Sequence, residues 1–340
     1  MKDTIKKTIL MVAKYIGLFH LAKLSYRNRI RILCYHGFSL KNEEKFVPGL
    51  FIKPDIFDER MRFLKDKGYN VISLEEAFQA TKSGNIEDNS VVITIDDGFY
   101  STYALGLPVL KKYGFASTLY LTSYYFDKDC PIFTLGVNYM FWNSELDEFD
   151  LSQLGIEGLG TVKAGTEECE KARLKITATG QAYERNEDRV NLLTKLGKAT
   201  EQDFDVLNKS RILNLINQAE LKECVEGKMD IEIHTHRHTF PTDPILAAKE
   251  IEKNKQQINP LLEKPMSHFC YPSGVWSKEH WHILDELGIK TSTTCDNGLI
   301  TPETPYHAWS RFLDSARISQ IEYESELSGF TEFLRKLRGK

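Results

Sequence analysis

Apolar positions along the chain follow two rhythms. Short runs rich in β-branched and aromatic residues at 29–36, 70–74, 91–97, 115–121, 229–234, 267–271 and 290–295 are predicted strands. Between them, apolar residues recur at helical spacing. Phe57, Met61 and Leu64 form one stripe, ended by Gly68. A helix over 107–113 is capped by Gly114, and further helices are predicted over 245–262 and 280–287. Seven strands alternating with helices predict an α/β fold with a parallel sheet, a β/α barrel. The stretch 91–95 is apolar or β-branched throughout, as expected for a strand buried on both faces.

Three segments break the rhythm. Residues 1–30 carry Ile5, Ile9, Val12, Ile16 and Phe19 on one helical stripe, and predict a basic amphipathic helix. Residues 127–225 contain no strand–helix unit. Short amphipathic helices are expected at 192–196, 204–207 and 212–216, after a flexible half marked by Gly155, Gly158, Gly160 and Gly165. An insertion after a barrel strand lands on the catalytic face, so this one is expected to cap that face or wall a substrate groove; a peripheral decoration is the alternative. Residues 319–340 predict one C-terminal helix. The barrel itself then comprises 31–126 and 226–318.

Composition narrows the class. The 340 residues are 41% hydrophobic and 27% charged, ordinary for a globular protein. The formal charge of −4 argues against a general nucleic-acid binder. Six scattered cysteines without a Cys-x-x-Cys suit reduced thiols in the cytoplasm better than a disulfide framework. Residues 1–31 hold eight Lys or Arg against one acid, Asp3. Lys14 interrupts the apolar run, which is too short to span a membrane and has no cleavage site. Such a helix either rests peripherally on an anionic membrane, at its inner face for a cytoplasmic protein, or packs on the barrel.

Two stretches carry candidate chemistry. The dry strand at 91–95 ends in Asp96-Asp97-Gly98, and barrel strand ends carry the chemistry of such folds. A plain Asp-Asp-Gly turn fits the same residues. The strand at 229–233 ends in His234-Thr235-His236-Arg237-His238. One helical turn would put His234 and His238 on one side. Two imidazoles and a carboxylate suit Zn2+ or another divalent transition metal, with positions left for water and substrate.

Together these motifs resemble the polysaccharide deacetylases of the NodB-homology type, carbohydrate esterase family 4. Thr94 to Gly98 is similar to that family's first motif, and His234 to His238 to its second. Tyr271-Pro272-Ser273-Gly274 resembles the third, and Tyr35-His36 the early Tyr-His of circularly permuted members. The resemblance covers roughly 31–126 and 219–313. It implies a distorted (β/α)7 barrel with a mainly helical insertion, acting on N-acetyl amino sugars of a polysaccharide or surface-glycan precursor. It implies Asp97, His234 and His238 as metal ligands, Asp96 as general base and His36 as general acid. Ser273 would offer its N–H to the oxyanion, and Tyr35, Tyr271, Pro272, Gly274 and Arg311 would line the substrate. No obligate protein partner is implied.

The chain departs from the family pattern in places. Cys270 stands where the third motif usually has Arg, and Ser273 where it has Tyr. None of His268, His280, His282 and His307 lies in the family's late Leu-x-His context, which moves the acid role to His36. Asp296 and Arg311 are candidates for the missing orienting pair. His36 as a buried strand-end histidine is the plain alternative. A zinc hydrolase of a sugar formamide or cyclic imide, or an inactive glycan-binding module, would share much of this sequence.

Overall fold

The computed structural model describes residues 2–339. Eight strands form the main sheet: β1 (Arg31–Tyr35), β2 (Asn70–Val71), β3 (Ser90–Asp97), β4 (Ser117–Leu121), β5 (Met229–Ile233), β6 (His268–Cys270), β7 (Thr291–Thr293) and β8 (Phe312–Leu313). Their order is β7-β6-β5-β4-β3-β1-β8, with β2 paired to the start of β3, and every ladder is parallel. The sheet curls into a barrel. Between β7 and β1 the segment 306–314 fills the gap with single bonds, from Trp309 N to Ser292 O (2.9 Å) and from Asp314 N to Cys34 O (3.0 Å). Seven strands therefore lie on the main path, with one exchange. The predicted strand at 70–74 contributes two residues off the path, and β8 takes its place.

Strand parity separates the two sides of the sheet. Leu33, Tyr35, Ile93, Ile95, Leu119, Ile231, Phe269 and Tyr271 face the helices and join Phe57, Met61, Leu64 and Leu110 in the largest apolar cluster. Their neighbours Cys34, Thr94, Asp96, His234 and Cys270 turn the other way, where hydrogen bonds and ion pairs join them. The barrel axis is thus partly polar, and its polar residues collect toward the C-terminal ends of the strands.

The insertion has its own core. Helices Phe133–Asn143, Glu167–Ala182 and Asn186–Ala199 bury Val137, Met140, Ile176, Leu192, Leu193 and Leu196 against Phe99, which follows Gly98 directly. Two short strands, Glu148–Asp150 and Thr161–Lys163, pair in the half expected to be flexible. The helix expected at 212–216 does not form. All but one of its residues are apolar and all are buried, so no face is left for water. It runs instead as an irregular segment that binds the catalytic loop, from Tyr100 N to Asn214 O (2.8 Å) and from Ile216 N to Gly98 O (3.0 Å).

Both terminal helices are broken at glycines. Lys2–Tyr15 (α1) and Leu18–Ser25 (α2) meet at Gly17, whose φ of 84° is left-handed. The C-terminal pair, Gln320–Ser328 and Phe330–Leu337, breaks at Gly329 (φ 81°). Leu10, Ala13, Phe19, Ala22 and Tyr26 pack on Phe330, and Lys6 pairs with Glu322 at 2.6 Å. The stripe expected over residues 5–19 is therefore split. Phe19 is buried, while Ile5, Ile9, Val12 and Ile16 face outward.

Candidate active site

β3 delivers Asp96 and Asp97 to the C-terminal rim of the barrel. The chain then turns sharply: Asp97 has φ 71° and Gly98 φ 94°. A side chain at Gly98 would strike Leu121, whose Cδ1 lies 2.2 Å from the Cβ position, so only glycine fits. The turn lets two successive carboxylates enter one pocket from different angles.

Asp97 meets both imidazoles of the second motif. Its Oδ1 lies 3.4 Å from His234 Nε2 and 3.3 Å from His238 Nε2. That oxygen is buried and has no hydrogen-bond partner among the described residues. The His234 Nδ1 donates to the Cys270 carbonyl at 2.9 Å, which leaves Nε2 as the free lone pair. The three donor atoms lie within 4.8 Å of one another. A buried carboxylate oxygen without a hydrogen, facing two imidazole nitrogens, is the donor set a divalent metal takes, so these residues fit such an ion.

The histidine loop is not a helical turn. Thr235 (φ 64°) and His238 (φ 55°) both sit in the left-handed region, and this fold of the backbone brings the two rings to a 4.9 Å centroid separation. The loop is fastened from outside. The Asn254 amide donates to Leu121 O and Thr235 O at 2.9 Å each, joining the ends of β4 and β5. His236 turns away from the ligands to Ser123 Oγ at 2.9 Å, and burial lowers its pKa to about 4.

Asp96 lies deeper and is held differently. Arg311 grips it with two bonds, Nη1 to Oδ1 at 2.7 Å and Nη2 to Oδ2 at 2.8 Å. Burial by itself would raise the Asp96 carboxyl; the Arg311 guanidinium outweighs it and holds the pKa well below the usual carboxylate range. Asp97 is likewise raised by burial and brought back, to about 2, chiefly by His238 and His234. The Cys34 and Cys270 thiols lie 3.6 and 3.4 Å from Asp96 Oδ2. His36, at the end of β1, brings its Nε2 to 3.8 Å from the same oxygen and remains partly open to solvent. His268, His280 and His307 are occupied elsewhere, by Thr291 and Glu75, by Thr242 O, and by Ser292 and Asp285.

Several expected substrate contacts are corrected by burial. Tyr35 has the parity of the outer layer and packs edge-on against Phe57 at 4.9 Å. Tyr271 shares that parity, is fully buried, and donates its hydroxyl to His307 O at 3.0 Å. Pro272 is buried as well. Arg311 is 0% exposed and reaches Asp96, not solvent. Asp296, paired with Arg311 in the sequence reading, meets it only through the backbone, its carbonyl accepting from Arg311 N at 2.8 Å, while its carboxylate accepts from Trp276 Nε1 at 2.9 Å. Gly274 (φ +67°) lies against Cys295, where a Cβ would come within 2.5 Å of that side chain. Ser273 does stand on the rim, exposed, with φ 57°. The turn's own bonds run from Gly274 N to Tyr271 O and from Val275 N to Pro272 O, which leaves the Ser273 N–H outside them.

Two features go beyond the sequence reading. One is the Arg311 clamp: Arg311 is a candidate for the missing orienting pair there, but its grip on Asp96, across 215 positions, is not read. The other is a wall formed by Tyr124, whose ring lies under Lys128 Nζ (3.5 Å) and whose hydroxyl accepts from Arg189 Nη1 (2.7 Å). The clamp makes a prediction. Arg311→Leu leaves Asp96 buried and unpaired, and should cost about 3–5 kcal/mol of stability in urea unfolding. With the guanidinium gone, burial dominates and the Asp96 pKa rises, so any activity that needs the ionised form should lose its acid limb at higher pH. Arg311→Lys keeps the charge without the two-pronged contact and serves as the folded comparator. An acid limb that stays in place in both variants would reduce Arg311 to packing.

This geometry belongs to a known class. Residues 172–292 match the family model described as polysaccharide deacetylase, a span that holds His234, His238 and the 271–274 turn but not the two aspartates. The Bacillus subtilis protein YxkH, provisionally named a polysaccharide deacetylase, is 33% identical over 94 residues, 27% of this chain and 32% of that one. The chain therefore spans about a third of that relative's length in the match. The Streptococcus pyogenes deacetylase PplD, solved in complex with acetate, superimposes with TM-score 0.58 at 19% identity, covering 88% of this chain and 99% of that one. IcaB from Ammonifex degensii does so with TM-score 0.55 at 15% identity, covering 88% and 97%. Over residues 172–292 the chain is similar to polysaccharide deacetylases, and its barrel is the fold of these solved structures.

Proposed function

We propose that the protein is a metal-dependent hydrolase that removes N-acetyl groups from an amino sugar of a polysaccharide or surface-glycan precursor. The observation that carries this is the division of labour between the adjacent carboxylates. Asp97 shares one bare oxygen between two imidazoles, while Asp96 is held off by Arg311. Asp97, His234 and His238 would hold the ion, with zinc the best match to two nitrogens and an oxygen. A divalent metal there supplies Lewis acidity toward the amide carbonyl and acidifies a water.

The protein's own residues do the rest. Asp96, ionised throughout the neutral range, accepts the water's proton. His36, at the open edge of the same pocket, gives a proton to the departing sugar amine. The Ser273 N–H, left outside the turn's own bonds, would be the donor for the oxyanion. The Tyr124 wall, with Lys128, Arg189 and Arg237 around its ring, offers a sugar-stacking surface. Six free cysteines, five of them buried, fit work in the cytoplasm.

The test is acetate release from N-acetylglucosamine oligomers. Release that stops on chelation and returns with zinc is the expected result. Formate release from formylated sugars in its place would move the reaction to another C–N bond. No release from any acylated sugar by the metal-loaded protein would leave only a binding role.

A further inference from the structure

The terminal helices present a surface that the barrel does not use. Ile5, Ile9, Met11, Val12, Tyr15, Ile16, Leu18, Leu21 and Leu24 are each between 37% and 92% exposed on α1 and α2. Phe333 and Leu337 of the C-terminal helix are also exposed. Scattered apolar residues on a surface need no explanation, but a patch this continuous marks an interaction site. Neither helix is long and apolar enough to cross a membrane. Together they are apolar enough, yet the bend at Gly17 turns one against the other by 76°. Both keep their inner faces packed on the protein, so they lie along it as an apron.

Charge indicates what covers this apron. Residues 1–29 and 319–340 hold eleven Lys or Arg and five Asp or Glu, a net +6 in a chain of net −4. The remainder is therefore −10. This count includes Glu322 and Glu324, the partners of Lys6 and Lys14. A second copy would bring the same positive layer face to face with its own. An anionic bilayer complements it and takes up apolar side chains at the same time.

The patch also continues toward the catalytic rim. Ile5, Ile9 and Leu10 line a slot of about 510 Å³ together with Phe312, Leu313 and Ile318, and Cys295 belongs to the same lining. Cys295 is the residue against which Gly274 of the rim turn is packed. We propose that the α1–α2 apron and the C-terminal helix seat the protein on an anionic bilayer, with the catalytic rim beside it. The acyl sugar is then one held at the membrane surface by a lipid. That last clause rests on the deacetylase reading; the docking itself does not.

Flotation with vesicles of phosphatidylcholine and phosphatidylglycerol tests the docking without reference to turnover. The full chain should float with anionic vesicles, less so as salt rises, and hardly at all with phosphatidylcholine alone. A Val12→Asp, Ile16→Asp, Leu21→Asp triple variant changes only exposed positions. It should keep its melting temperature and its turnover of soluble oligosaccharides, and lose vesicle affinity by roughly tenfold or more. Absence of flotation by the unmodified chain, or flotation that the triple variant retains, overturns the proposal. So does a dimer in solution that the triple variant dissolves, which would assign the patch to a second copy. Inactivity toward every acylated sugar would refute the hydrolase reading and leave the flotation result standing.

Discussion

His234→Ala and Asp97→Ala are each expected to leave the protein folded and empty of metal. Each removes one of three protein donors, and two fall short of the three that an open catalytic zinc site keeps beside its water. The loss should be visible without an activity assay. The unmodified protein should retain a divalent ion after dialysis, as read by elemental analysis, and each variant should not. Added zinc should also raise the melting temperature of the metal-free unmodified protein, since an ion that binds only the folded state stabilises it by about 2.7 kcal/mol at a hundred times its dissociation constant. The variants should show no such rise. Metal content unchanged in both would transfer the ion to a donor set without either residue, such as Cys34, His36 and Asp96. That outcome is disfavoured by Arg311, which already occupies both oxygens of Asp96.

What the sequence made legible follows from the range of the forces involved. The strand over 91–97 was readable because burial on both faces makes every position apolar until the tip, where the aspartates stand out. Parity was readable too, though the first reading did not apply it. Tyr35 and His36 are consecutive on one strand, so they cannot both face the barrel axis, and the same holds for Cys270 and Tyr271. The observed register pairs Tyr35 with Ile95, and so sets His36 level with Asp96 toward the axis and Tyr35 in the core. The metal set rested on residue type, and the geometry agrees with it through a different backbone: two left-handed residues in place of a helical turn.

Arg311 is the opposite case. It precedes β8, whose two residues are too few to display any period, and its partner lies on the far side of the sequence. Cys270 was the clue that put Arg311 forward as a replacement, though with Asp296 as its companion. A thiol where the family usually places its arginine leaves a buried acid without a cation, and some other chain segment must then supply one. The segment at 306–314 does so because it is the piece that bridges β7 and β1, passing over the end of the barrel axis where Asp96 sits. The insertion was legible as an interruption but not as a structure. The buried run at 212–216 owes its shape to contacts with Phe99 and Gly98, which lie more than a hundred positions earlier.

The general base and general acid can be separated by substrate. Asp96→Asn keeps the shape of the side chain and an oxygen for Arg311, so metal and fold should remain, while kcat falls by about 10²–10⁴-fold for want of a proton acceptor. This loss should be the same on an amide and on an ester, because both need the water activated. His36→Ala should also keep the metal. Its kcat on an amide should fall by roughly 10²-fold or more, since an amine leaves only with a proton. On a phenyl acetate the leaving phenoxide is stable without one, so the loss should shrink. The two variants therefore differ in the ratio of amide to ester turnover, and that ratio is insensitive to misfolded protein in the sample. Normal turnover by Asp96→Asn would make the Arg311–Asp96 pair structural. A ratio that does not move in His36→Ala would assign His36, 3.8 Å from Asp96 Oδ2, to holding that carboxylate in place and not to the leaving group.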